Sequence, residues 1–204
     1  MQKYKLSYFD IDGGRGEVTR IALHAAGIKF EDNRLTFPQF GEARTNMRFN
    51  AVPILEIDGE EFSQSDAMSR YAGRLADLYP TDPLQAMYCD EVLGAYEDLT
   101  NYVVQTFGLE GDALKEARQK LMDGKMTIFL TGLQQLLKRG GDYFADNRLT
   151  IADLRSFVQI KSLSAGVLDH VPAEFVHSVA PALVEHQKRV SAEKLVVAYY
   201  ESRQ

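Results

Sequence analysis

Tyr4-Lys5-Leu6-Ser7-Tyr8-Phe9 opens the chain with the apolar and polar alternation of a half-buried strand, and the Asp- and Gly-rich run Asp10 to Gly14 breaks it. From Gly16 to Ala26 apolar residues recur at helical spacing, and Gly27 stands where a glycine closes a helix. Lys29 to Leu35 reads as a second strand, whereas Phe37 to Phe49 follows neither period. Val52-Pro53-Ile54-Leu55-Glu56-Ile57 is strand-like again, Asp58-Gly59 signals a tight hairpin, and Glu61 to Ser63 is the return strand. Met68, Tyr71, Ala72 and Leu75 then repeat on one face of a helix that begins at Ser65-Asp66. This part of the chain reads βαβ-(α)-ββα.

Tyr79-Pro80-Thr81-Asp82-Pro83 is the clearest linker signal, and strand patterns stop beyond it. Long helices are expected over about 84–107 and 112–138, another over 151–165, and shorter ones near 177–190 and 192–200. The expected fold class is α/β plus all-α, with a small α/β domain over residues 1–78, a linker over 79–84 and an all-helical domain over 85–204.

Composition narrows the function. With 204 residues, 45% hydrophobic and 25% charged, the chain matches soluble globular proteins. No apolar run approaches the roughly 20 residues that cross a bilayer, so no membrane is expected as a partner. A net charge of −6 without a Lys/Arg cluster disfavours nucleic acid. Cys89 is the only cysteine, which rules out an intramolecular disulfide and a CxxC redox pair. His24, His170, His177 and His186 have no metal-ligand spacing, so no metal is expected. The first residues lack the basic and apolar regions of a secretory leader, and a reducing cytoplasmic location fits.

Three features carry candidate chemistry. Tyr8 ends a strand before a glycine-bearing turn into a helix that carries Arg15 in its first turn. A strand tyrosine is usually core, yet a neutral phenol beside a helix N-terminus can also hold a thiolate. Pro53, just before a strand, is either a trans edge-turn proline or a cis proline whose preceding residue offers its backbone to an extended peptide, as in thioredoxin-like βαβ-ββα arrangements. Ser65 is either simply the N-cap of its helix or part of a carboxylate-binding helix N-terminus.

Together Tyr4 to Phe9, Gly14-Arg15-Gly16-Glu17, Val52 to Gly59 and Gln64-Ser65 closely resemble the cytosolic glutathione S-transferases, the sigma-like class in particular. The resemblance spans the chain, and Leu149-Thr150-Ile151-Ala152-Asp153-Leu154 looks like that family's capping box and hydrophobic staple. It implies an N-terminal thioredoxin-like domain that binds glutathione as co-substrate and a C-terminal helical bundle that supplies the electrophile pocket. Tyr8 then matches the hydroxyl that favours the glutathione thiolate, with Arg15 adding a positive charge. Val52 before a cis Pro53 pairs with the cysteinyl unit, and Gln64 and Ser65 hold the γ-glutamyl carboxylate. Phe40 and Arg44 take the places of the Trp and Lys at the glycyl end. Ala51 stands where the family carries a lysine, which Arg48 replaces. Glu97 and Asp98 are the candidate acids for glutathione bound in a partner subunit, which implies a homodimer, with Arg70, Arg74, Tyr88 and Tyr96 as interface candidates. Ile11, Asp12, Tyr102, Gln105, Thr106, Arg155 and Gln159 are expected to wall the electrophile pocket. The activity implied is conjugation of glutathione to small electrophiles, a detoxification chemistry. The alternatives are a glutathione-dependent peroxidase or prostaglandin-type isomerase on the same site, or a noncatalytic binding or structural relative.

Overall fold

In the computed structural model, which describes residues 2–203, contacts divide the chain into two compact units. One comprises residues 2–79 together with 194–203, and the other residues 80–193.

The first unit is built on a four-stranded mixed sheet of order β2-β1-β3-β4. β1 (Tyr4–Phe9) pairs parallel with β2 (Phe30–Leu35) and antiparallel with β3 (Ile54–Ile57), which pairs antiparallel with β4 (Glu60–Phe62). Between β1 and β2 runs α1 (Gly14–Ala25), which buries Val18, Ile21, Ala22 and Leu23. A 6→1 bond from Ile28 to Leu23 and a bond from Gly27 to His24 close it, with Gly27 at φ +67°. These are the bonds of a glycine C-cap. Asp58 and Gly59 both lie at positive φ, so the hairpin turn matches the right-handed strand twist, as Asp-Gly predicts. α3 (Ser65–Leu75) packs beside α1 through Met68, Ser69 and Ala72.

The aperiodic segment contains α2 (Phe37–Ala43), followed by a 3₁₀ turn over Arg44–Asn46. None of α2 is fully buried, so no apolar stripe marks it. Its ends were written differently: the Thr36 amide donates to Gln39 Oε1 at 2.8 Å, the Gln39 amide donates to Thr36 Oγ1 at 3.4 Å, and Pro38 lies in the first turn.

The second unit is helical. α4 (Pro83–Val104) starts at Asp82, whose side chain accepts the Gln85 amide at 2.9 Å. The stretch read from sequence as one helix over about 112–138 is three pieces: α5 (Gly111–Leu121), a π turn over Met122–Met126 and α6 (Thr127–Gly140). The widened turn contains Gly124, and Thr127 Oγ1 donates to the Met122 carbonyl at 2.5 Å across it. α7 (Ile151–Leu163) is the unit's centre, buried without a break from Ile151 to Ile160. At its start Asp153 accepts the Thr150 amide and hydroxyl, both at 2.8 Å, and the Phe144 amide at 2.9 Å, with His186 Nε2 also at 2.9 Å. α8 (Phe175–Val179) and α9 (Pro181–Ser191) complete this unit.

Sequence periodicity assigned the last residues to the helical domain. Instead α10 (Lys194–Glu201) packs on α1 in the first unit, burying Val196 and Tyr199 and setting the Tyr199 ring edge-on to His24 at 5.6 Å. An amphipathic pattern shows that a helix has a buried face but not which neighbour buries it.

Candidate active site

α1 begins without a side-chain cap, because its N-cap residue is Gly13. The Arg15 amide finds its partner across the turn instead, donating to the Tyr8 phenol oxygen at 3.0 Å. Tyr8, only 6% exposed, thus substitutes from β1 for the missing cap. Such closeness needs glycines. A Cβ on Gly14 would lie 2.4 Å from the phenol oxygen and one on Gly16 2.7 Å from the ring, and Gly14 adopts φ +66°. An amide donating to a phenol oxygen strengthens the phenol's own O–H as a donor, and the positive end of α1 favours an anion there.

The register carries this position across the sheet. β1 pairs Leu6 with Leu55 and Ser7 with Ile54, and one step further sets Pro53 opposite Tyr8. β3 pairs Leu55 with Phe62, and two further steps set Gln64 opposite Pro53. Continued beyond the paired residues, which end at Ser7–Ile54 and Leu55–Phe62, this register brings Tyr8, Pro53 and Gln64 into one row. The Val52–Pro53 bond is cis, and Val52 lies outside the ladder, which begins at Ile54. Gln64, at φ +75°, is the N-cap residue of α3, and the buried Ser65 is its first helical residue. This corrects the expectation that Ser65 is the N-cap. A non-glycine residue at positive φ costs of order 1–3 kcal/mol. Phe9 next to Tyr8 stacks against Phe37 at 4.8 Å and Phe40 at 5.1 Å, and the Arg44 guanidinium lies 5.5 Å from the Phe40 ring centre. α2 is thereby fastened to the same strand end. Arg48 and Ala51 are exposed in the segment leading to the cis bond.

Residues 97–203 match the family model for the glutathione S-transferase C-terminal domain. Glutathione S-transferase 1 of Ascaris suum is 35% identical over 163 residues, covering 76% of this chain and 77% of that protein. The chain belongs to the glutathione S-transferase family. Hematopoietic prostaglandin D synthase of Gallus gallus is 37% identical over 98 residues, 48% of this chain and 49% of that one. The Fasciola hepatica sigma-class glutathione S-transferase structure aligns with a TM-score of 0.83 at 25% identity, covering 100% of this chain and 97% of that one. The fold expected from sequence, an N-terminal thioredoxin-like part and a helical bundle, is that of this family.

In the second unit the remaining candidates of this transferase separate. Glu97 on α4 accepts a bond from Arg155 Nη2 at 3.2 Å, and Arg155, 2% exposed, also donates to Thr100 at 3.0 Å. Its carboxylate is thus engaged inside its own chain. Asp98, one position on, is exposed. Arg155 and Gln159 were expected to wall an open pocket. They are buried, and Gln159 accepts the Thr100 hydroxyl at 3.2 Å. Tyr96 is likewise no interface residue: it is fully buried, with its hydroxyl 2.8 Å from Ser156 Oγ. Tyr102, Gln105 and Thr106 do line a groove of about 520 Å³, opposite Lys120, Leu121 and Lys125.

Reading residue types alone missed how the turn after Tyr8 is held. Arg20 and Arg34 cover the carbonyls and carboxylates of Phe9 to Asp12, and nothing in the local pattern marks either arginine as different from a surface charge.

Proposed function

We propose that glutathione lies along the row Tyr8, Pro53 and Gln64, and that the Tyr8 phenol donates to its sulfur and stabilises the thiolate. The observation that carries this reading is the Arg15 amide on the Tyr8 oxygen, between two positions, Gly14 and Gly16, where Tyr8 leaves no room for a Cβ. A free thiol titrates near 8.5, and lowering that by about two units requires roughly 2.7 kcal/mol of preferential thiolate stabilisation. One hydrogen bond to a charged acceptor contributes about 1.5–3 kcal/mol, so Tyr8 with the helix end is sufficient. Arg15 adds positive charge. In the reaction the thiol proton leaves to solvent, the sulfur forms a bond to the electrophilic carbon, and the leaving group departs with its electron pair.

The rest of the row orients the peptide. Val52, freed from the ladder before the cis bond, pairs its backbone with the cysteinyl unit, with Ala51 beside it. Gln64 and Ser65 hold the γ-glutamyl carboxylate at the start of α3, where helix amides attract anions. The Arg44–Phe40 pair holds the glycyl carboxylate, for which a guanidinium is bidentate. Asp98 is the acid proposed to serve a partner subunit's site in a homodimer, since Glu97 is committed to Arg155. Conjugation in the cytoplasm, as a detoxifying step, is the role proposed.

Tyr8→Phe tests this. The variant is expected to fold and bind glutathione while turnover of an aryl halide falls by about tenfold or more and the apparent pKa of the bound thiol rises toward about 8.5. An unchanged pH–rate profile refutes the role. A second reading, isomerisation of a prostaglandin endoperoxide, is favoured by the likeness to the Gallus gallus synthase. Parallel assays with an aryl halide, a hydroperoxide and an endoperoxide separate conjugation, peroxidase and isomerase activity.

A further inference from the structure

The turn after Tyr8 is exposed, with Asp10 62% and Asp12 53% open at their side chains, so packing does not hold it. Guanidinium groups do. Arg20 donates to the Ile11 carbonyl at 3.0 Å and the Phe9 carbonyl at 3.3 Å. Arg34 of β2 donates to Asp10 and Asp12, both at 3.2 Å, and Asp32 fixes both arginines from behind, at 2.8 Å and 2.7 Å. The third arginine comes from the far end of the chain. Arg203 Nη2 donates to Asp12 at 2.5 Å, and its Nη1 lies 3.5 Å from the fully buried Glu17. Arg203 is itself anchored, donating to the Tyr199 hydroxyl at 3.2 Å with its guanidinium 5.4 Å from that ring's centre.

We propose that Arg203 is a positioning residue for thiolate formation, acting through Asp12 to hold the Asp10–Gly13 turn so that the Arg15 amide stays on the Tyr8 oxygen. This rests on the reading of Tyr8 as the thiol's hydrogen-bond donor. Four carboxylates, Asp10, Asp12, Glu17 and Asp32, meet three guanidiniums here, from Arg20, Arg34 and Arg203, with the Tyr199 and Tyr200 phenols beside them. Without Arg203 two cations face four anions, and the uncompensated charge falls on Asp12 and Glu17. Burial opposes the Asp12 charge, and the bonds from Arg203 and Arg34 outweigh it, holding that carboxyl below its ordinary range. Loss of Arg203 therefore loosens a turn containing two adjacent glycines, Gly13 and Gly14, and adds net negative charge three residues from Arg15. Both effects disfavour an anion at the start of α1.

The test uses the full chain and the pH profile of kcat/KM with an aryl halide. Arg203→Ala is expected to lower kcat/KM about three- to tenfold near about pH 6.5 and to move the acid limb to higher pH, with KM for glutathione within about twofold of the parent. Arg203→Lys should recover much of this loss. In an Asp12→Asn background Arg203→Ala should add nothing further. The proposal is overturned if the Arg203→Ala profile superimposes on the parent, or if the full shift persists in the Asp12→Asn background. Should Arg203→Ala not fold, by circular dichroism, Arg203→Gln takes its place with the same expected shift and the same refutation. Tyr8→Phe is run alongside. If it alone leaves the profile unmoved, the thiol reading fails, whatever Arg203 does.

Discussion

Gly14→Ala isolates the placement of the Tyr8 oxygen from its chemistry. The added methyl would lie 2.4 Å from the phenol oxygen, and 3.1 Å and 3.2 Å from two ring carbons, at a residue with φ +66°. Two costs follow. An L-residue in the left-handed region loses about 1–2 kcal/mol, and overpacking a buried contact adds about 1–3 kcal/mol. The protein is thus expected to lose about 2–5 kcal/mol of stability, read by denaturant titration. The chain can relax only by rotating Tyr8 away or by tilting the start of α1, and either breaks the bond from the Arg15 amide. If that bond prepares the phenol to hold a thiolate, the loss corresponds to about 1.5–3 kcal/mol in the transition state, a fall in kcat/KM of about ten- to a hundredfold. Gly16→Ala is the control. Its Cβ meets the ring at 2.7 Å rather than the oxygen, its φ is ordinary, and alanine favours a helix interior. It should therefore cost less activity for a comparable crowding. Steady-state kinetics with an aryl halide, at a temperature where both variants are folded, reads the difference. If Gly14→Ala loses the expected stability while kcat/KM stays within about twofold, the oxygen's position is structural and the proposed chemistry is wrong.

Gln64→Gly should keep or raise the melting temperature, because glycine relieves the strain of φ +75°, while raising KM for glutathione about tenfold by removing the side chain proposed to hold the γ-glutamyl carboxylate. A falling melting temperature with unchanged KM would contradict this. Cys89 should not react with a thiol reagent at pH 8 in the folded protein. Burial raises its thiol against the opposing bonds from Ala152 and Thr150, to about 12, so the nucleophilic thiolate is scarce until the pH approaches that value or the chain unfolds. Rapid labelling of the native protein would place this thiol in solvent.

Legibility in the sequence followed the range of each signal. β1, the Asp58-Gly59 hairpin and the closing Gly27 are written within a few residues, and each stands where the pattern put it. α2 lacked an apolar stripe, so only its capping residues marked it. The π turn over Met122–Met126 is one extra residue within a helical repeat that the surrounding apolar spacing runs through unbroken. Glu97 and Asp98 are neighbours with similar chemistry, and only the buried Arg155, 58 residues away, separates them.

The least legible part of the site is the one that holds it still. Tyr8 could be picked out because a phenol before a glycine turn has a local chemical meaning, but a phenol is useful there only if the oxygen and the Arg15 amide keep their separation. That separation is set by Arg20 and Arg34, and by Arg203, which is 191 residues from its carboxylate partner Asp12. The turn cannot supply the restraint itself, since Gly14, at φ +66° and with the Tyr8 oxygen 2.4 Å from where a Cβ would lie, must stay glycine for Tyr8 to fit. A site that needs a permissive turn for its geometry and a fixed turn for its chemistry must import rigidity from elsewhere. In this chain the return of α10 to the first unit brings in the third of those arginines.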